Sequence, residues 1–364
     1  MNRFVQLHLL TFYPPSNLNR DDTGKPKTAI VGGATRLRIS SQALKRAWRT
    51  SAIAEKILAH HLGERTQRIG SLVLDHLRGQ IDDTKALGIA REIASAFGKV
   101  KAESDKNPEF TEQLAFISPE EREAALAYAD ARADGSKTAE EKKALAEILL
   151  RKTDTAADIA MFGRMLADNP DFNREAAVQV AHAITTHKVA VDDDYYTAVD
   201  DLKTTAEDAG AGFIGETGFG AGVFYLYINI DRALLLKNLG GDADVAKKAI
   251  EALITAAAKI GPRGKSASFA SFARAAHILA ERGDAAPRTL AGAFLQPVDN
   301  VRDGQHRMIA REEGYLKASV DLLHETRARF EKVYGGEGVA SRTMDAASGE
   351  GSLQEIIAFA IESL

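Results

Sequence analysis

Residues 3 to 12 alternate, with Val5, Leu7 and Leu9 on one face and Phe4, Gln6, His8 and Leu10 on the other. That period of two predicts a strand, closed by Pro14-Pro15. PPSNLNRDDTGKP has the composition of a loop. Ser40 or Ser41 then caps a predicted helix running to about Leu58. Residues 60 to 180 are rich in alanine and charge, with helical runs such as PEEREAALAYADAR and AEEKKALAEILLRK, and predict a mostly helical insertion. An acidic and then glycine-rich stretch, 192 to 222, predicts a protruding hairpin or loop. GVFYLYINID follows as a strand of aromatic and β-branched residues. Helices are predicted at 243 to 260, around 305 to 333 and at 353 to 364. Strands and helices parted by a helical insertion point to the α+β class.

Composition narrows the setting. The 364 residues hold no cysteine, which excludes disulfides, thiolate zinc sites and a cysteine nucleophile, and fits a reducing, cytoplasmic location. No apolar run reaches the length of a membrane span, and Gln6 and His8 interrupt the start too early for a signal peptide. The formal charge of −4 argues against a polyanionic partner, yet its distribution argues for one. From Thr23 to Ala54 there are seven basic side chains (Lys25, Lys27, Arg36, Arg38, Lys45, Arg46 and Arg49) and no acidic one.

On a helical projection Gln42, Lys45, Arg46 and Arg49 share one arc, while Leu44, Ala47, Trp48 and Ser51 lie opposite. An ordinary solvated face mixes signs to avoid repulsion between successive turns. An exclusively cationic and amide stripe suits a phosphate backbone, whose contacts fix register without reading bases. Ser40 and Gln42 add hydrogen-bonding groups at the helix start. Tyr195-Tyr196 sits among aspartates, which disfavour phosphate but leave the rings suited to stacking on bases or to burial in a core.

Other motifs fail on context. Gly210 to Gly215 spells GxGxxG, but no strand precedes it and no helix follows. Gly264-Lys265-Ser266 resembles the end of a P-loop, yet Lys259 stands where its first glycine belongs. Neither His60-His61 nor His182/His187 has the spacing of metal ligands on one helical face. Asp21-Asp22 could hold magnesium beside a phosphate or form a solvated turn.

In their order, LNRDD (18 to 22), the glycine pair before RLRISSQALKRAWR, FGRM (162 to 165), AHAITTH (181 to 187), YTAVDDL (196 to 202) and GVFYLYINID (222 to 231) resemble the CasC family, the backbone subunit of the type I-E CRISPR surveillance complex, Cascade. The resemblance runs from residue 3 to about 300 and is weak over 60 to 155. It implies a modified RNA-recognition (ferredoxin-like) palm, helical fingers and a β-hairpin thumb. The boundaries it gives are 1–59 and 223–364 for the two palm parts, 60–180 for the fingers, 181–189 for a palm strand and 190–222 for the thumb.

The implied function is non-catalytic. Copies of the subunit polymerise along one CRISPR RNA, and each thumb displaces a base at regular intervals. The remaining spacer bases stay open for pairing with target DNA in antiviral defence. Implied partners are the guide RNA, other copies of the chain, the large, small, guide-processing and 5′-end-capping subunits, and target DNA through the guide. No cofactor and no membrane are implied.

Backbone contacts carry over to Arg20, Lys27, Ser40, Gln42, Lys45 and Arg49, with Arg46 added. The finger contact falls on Met165 with Arg164, and the thumb wedge on Tyr195, Tyr196 and Thr197. Tyr195 departs from a family tryptophan while remaining aromatic. Lys265, in the basic loop PRGKS, could also face RNA. The alternative is a metal-dependent RNA nuclease of the type III backbone kind, using Asp21 or Asp22.

Overall fold

A computed structural model of the chain describes residues 2–198, 213–300, 314–335 and 338–364. Its framework is a nine-stranded antiparallel sheet. The strands are β1 (Phe4–Ser16), β2 (Thr28–Val31), β3 (Ala34–Ile39), β6 (Val178–Val180), β7 (Ala183–Thr185), β8 (Asp192–Ala198), β9 (Phe213–Asp231), β10 (His277–Gly283) and β11 (Ala340–Asp345). They run β11-β10-β1-β9-β7-β3-β2, with β6 and β8 also paired to β9. Two short strands, β4 (Glu64–Thr66) and β5 (Ala115–Ile117), pair separately.

The alternation of β1 is used on both faces. Val5, Leu7 and Leu9 join a core with Leu37, Ile39, Trp48, Ile228 and Ile230. It is covered by α1 (Ser41–Arg49), α2 (Ala52–Ile57), α7 (Ala157–Phe162), α8 (Arg232–Asn238), α9 (Ala243–Lys259) and the helix Leu353–Ile361. Leu10 faces the other way, toward Tyr225, Leu279, Phe294 and Leu323 of the helix Tyr315–Tyr334. On that side the polar positions are buried but partnered: His8 Nδ1 lies 2.9 Å from Tyr225 Oη, and Tyr227 Oη donates to Gln6 Oε1 at 2.7 Å. Pro14-Pro15 do not end the strand. The β1–β9 register shifts between Tyr13 and Ser16, so residues lacking an N–H fall in a break of the ladder.

The insertion carries its own core. Val73, Ile89, Ile93, Tyr128 and Leu149 pack between α3 (Ile69–Leu77), α4 (Asp83–Phe97), α5 (Pro119–Ala133) and α6 (Lys142–Leu149). On β9, β8 pairs with residues 213–219, while residues 220–231 of the same strand pair with β1. The protruding ribbon is thus a direct extension of a central strand. The rest of the 192–222 stretch, with Gly210 and Gly212 of GxGxxG, lies outside the described residues, as do residues 199–202 of YTAVDDL.

The helix expected to reach Leu58 is two helices. Thr50 ends α1, and Ser51 caps α2, accepting from Ala54 N at 3.2 Å while donating to Trp48 O at 2.7 Å. Among the described residues no helix is long and apolar enough to cross a membrane.

Candidate nucleic-acid interface

The basic helix starts from a cap that also anchors the preceding loop. Ser40 Oγ accepts from Ala43 N at 3.4 Å, and Ser40 N donates to Asn19 Oδ1 at 2.9 Å. The hydroxyl oxygen of Ser40 thus caps the helix, and the residue is buried. Leu44, Ala47 and Trp48 face the core, and Trp48 Nε1 donates to Ile260 O at 3.1 Å. Gln42 and Arg46 stand exposed on the other side. The first turn holds no acidic residue, and Arg46 and Arg49 lie where the helix dipole favours cations.

The remaining two cations of the stripe are less free than the projection implies. Lys45 is half-buried with its ammonium 5.5 Å from the Phe162 ring centroid, and burial pushes its pKa down. Arg49 is held between the Phe116 ring, 4.8 Å away, and Asp158, with Nη1 3.3 Å from Oδ2. Their side chains are 15% and 1% exposed. Burial pushes the Asp158 carboxyl up to about 6, against a backbone donor from Gly63 and the charge of Arg49. Lys45 and Arg49 together fasten α1 to the segment that carries FGRM.

FGRM splits in two. Gly163 turns the chain at φ +79°, where an added Cβ would lie 2.9 Å from Arg174 O. Met165 then projects into solvent, 77% exposed, whereas Arg164 turns inward. Arg164 pairs with Glu121 at 2.5 Å and donates to Arg151 O and Phe172 O. It is a structural cation and offers no described surface to RNA. Arg36, counted in the basic segment, is likewise fully buried and donates to Thr185 O and Phe294 O.

In the loop before β2, Arg20 is exposed and Lys27 half-buried. Lys27 is tied by its backbone, its N–H donating to Asn19 O and its carbonyl accepting from Arg38 N. Lys25 is neutralised by Asp193 at 3.0 Å, with Glu216 at 3.8 Å, which pins this loop to the ribbon base. Asp21 organises the turn: its Oδ1 accepts from Thr23 Oγ1, Thr23 N and Lys25 N. The Thr23 hydroxyl bond leads the causes that hold its carboxyl below the usual range. Asp22 is exposed, and among the described residues no three His, Asp or Glu side chains converge as metal ligands would.

The structure also adds a pair that the pattern did not single out. Arg38 Nη1 lies 2.8 Å from His182 Nδ1, and burial followed by the Arg38 and Lys27 charges pushes the imidazole pKa down. A neutral His182 then accepts from Arg38. The alternation of β3, which puts Arg36 and Arg38 on one face, was the only sequence signal for it.

On the ribbon, Tyr195 pairs across the ladder with Glu216, Tyr196 with Gly215 and Thr197 with Ile214. All three residues of β8 are exposed, Tyr195 at 65%. Lys265 lies in the left-handed region at φ +49°, beside Gly264, which packs against the Leu18 carbonyl so tightly that a Cβ would overlap it. The PRGKS loop is thus brought to the loop that leads to Arg20.

A family model described as CT1975-like protein matches residues 5–362. No curated protein gives a significant sequence match. Among solved structures the chain is similar to one from a "CRISPR RNA-guided surveillance complex, pre-nicking", with a TM-score of 0.82 and 28% identity over 99% of this chain and 100% of that one. It is also similar to one from a "CRISPR RNA-guided surveillance complex", at a TM-score of 0.72 and 26% identity, with the same coverage.

Proposed function

The chain belongs to the CT1975-like protein family, and from that premise we propose that it is a CRISPR guide-RNA-binding backbone subunit of a Cascade complex of type I-E. Copies polymerise along one guide, hold its phosphates and leave most bases open to target DNA, so that pairing and not protein reads the sequence. The sheet with its helical layer is the RNA-recognition-like palm, residues 60–180 supply the fingers, and the β8–β9 ribbon is the thumb. The large, small, guide-processing and 5′-end-capping subunits are its further partners.

One observation supports this reading: the capped helix α1 presents Gln42 and Arg46, is fastened through Lys45 and Arg49 to the segment that carries Met165, and has Arg20 and Lys27 held at its start through Asn19. Weak contacts of this kind add along a strand, because neighbours on one guide raise each other's effective concentration. Gln42, Arg46, Arg20 and Met165 are the exposed members, while Ser40 and Arg49 act through the geometry they hold.

The test is composition. Produced together with a CRISPR array transcript and its sister subunits, the protein is expected to carry small RNAs of uniform length. Recovery as an RNA-free monomer overturns the proposal. We assign it no catalytic step. Cleavage of complementary RNA by the magnesium-supplied complex, abolished by Asp21→Ala, would establish the nuclease alternative instead.

A further inference from the structure

From Pro262 to Ala280 the chain holds Arg263, Lys265 and Arg274 and no acidic residue. None of these three cations forms an ion pair among the described residues, unlike Lys25, Arg36 and Arg164, which the fold consumes. In their midst Phe272 is 83% exposed, the most exposed large apolar side chain described. A solvated aromatic flanked by unpaired cations is the composition of a stacking platform for single-stranded nucleic acid, since every base offers a π-face and phosphates follow the charge.

The backbone holds the ring out. Lys265 and Ala270 both occupy the left-handed region, at φ +49° and +47°, on either side of the single helical turn Ser266–Phe269. Residues other than glycine persist there only when the surroundings enforce it. Here Gly264 is pressed on the Leu18 carbonyl, and Phe269 lies 6.0 Å, centroid to centroid, from Phe219 at the ribbon base. Phe272 N donates to Ala270 O at 2.8 Å, and Ser271 is buried while the Phe272 side chain next to it faces solvent.

We infer that Phe272 is a base-stacking platform for the guide strand, with Arg263, Lys265 and Arg274 as its phosphate contacts. This rests on the reading of the chain as a guide-RNA-binding subunit, and extends the RNA path from α1 to the loop between α9 and β10. The platform accepts any base.

The full chain with Phe272→Trp gives a direct readout, because the only native tryptophan, Trp48, is buried. A 12-nucleotide single-stranded RNA is titrated while tryptophan emission and RNA anisotropy are followed together. The expected result is quenching that tracks binding, with Phe272→Ala weakening affinity roughly five- to a hundredfold, the value of one stacked base. RNA that binds without quenching overturns the platform and leaves the guide-binding reading standing. Absence of binding to any RNA overturns both. Quenching by single-stranded DNA alone, or emission that responds only to protein concentration, overturns the guide-strand assignment in favour of a DNA strand or a second copy.

Discussion

The ring of Tyr196 lies across the backbone of Gly215, its partner on the opposite strand of the ribbon: a Cβ built on Gly215 would meet Tyr196 Cζ at 2.4 Å. The third glycine of the GxGxxG string therefore makes room for an aromatic ring and cradles no phosphate. Gly215→Ala is expected to swing the Tyr196 ring off the ladder without changing how much RNA the protein retains. Chemical probing of the bound guide should show altered reactivity at periodic positions, and an unchanged pattern would mean that the orientation of this ring does not matter to the RNA.

Lys45→Glu combined with Arg46→Glu is expected to abolish guide retention in a folded protein. Weaker single substitutions, Lys45→Ala and Arg46→Ala, test the cause. Each lost phosphate contact should reduce the slope of log affinity against log salt by about 0.7 for a single strand. Titrations at several salt concentrations give that slope directly; a loss of affinity with the slope intact would point to a contact other than phosphate.

Much of this was legible locally. The alternation of β1, the cap and cationic face of α1 and the aromatic strand before α8 all depend on near neighbours and formed where their patterns predict, although the helix breaks at Thr50 and does not run on to Leu58. What the sequence hid was the fate of individual cations. Arg36, Arg49 and Arg164 look alike in composition, but their partners Phe294, Asp158 and Glu121 lie 258, 109 and 43 residues away. Only the tertiary fold decides which arginine is consumed by such a partner. Pro14-Pro15 misled for a related reason, since a break in register that tolerates proline is set by the facing strand.

Arg164 tests that distinction. Arg164→Met leaves Glu121 as a buried, uncompensated carboxylate, at an expected cost of about 3–5 kcal/mol in unfolding free energy. Adding Glu121→Gln should recover part of the loss, because the charge is then removed from both sides. Urea unfolding of the two variants measures this. Wild-type stability in Arg164→Met, accompanied by loss of RNA, would restore Arg164 as a direct ligand.

Asp158 behind Arg49 gives a pH signature. Its carboxyl is raised to about 6 in the native state from an ordinary 3.8, so the folded protein holds this proton more tightly than the unfolded chain. The group's contribution to stability is then fully present below about pH 4 and lost as pH rises through 6, a change of about 3 kcal/mol. Asp158→Asn cannot titrate and should lack this component, so the stability of wild type relative to Asp158→Asn falls between pH 4 and 7. Arg49→Ala removes the cation that opposes the shift. Its decline should therefore be larger and extend further above pH 6, at the same limiting slope of one proton, with the folded fraction still able to bind RNA through Lys45 and Arg46. Urea midpoints at pH 4, 5, 6 and 7 for the three proteins decide it: parallel profiles would show that Arg49 and Asp158 are not coupled, and that the arginine is free to serve the guide strand directly.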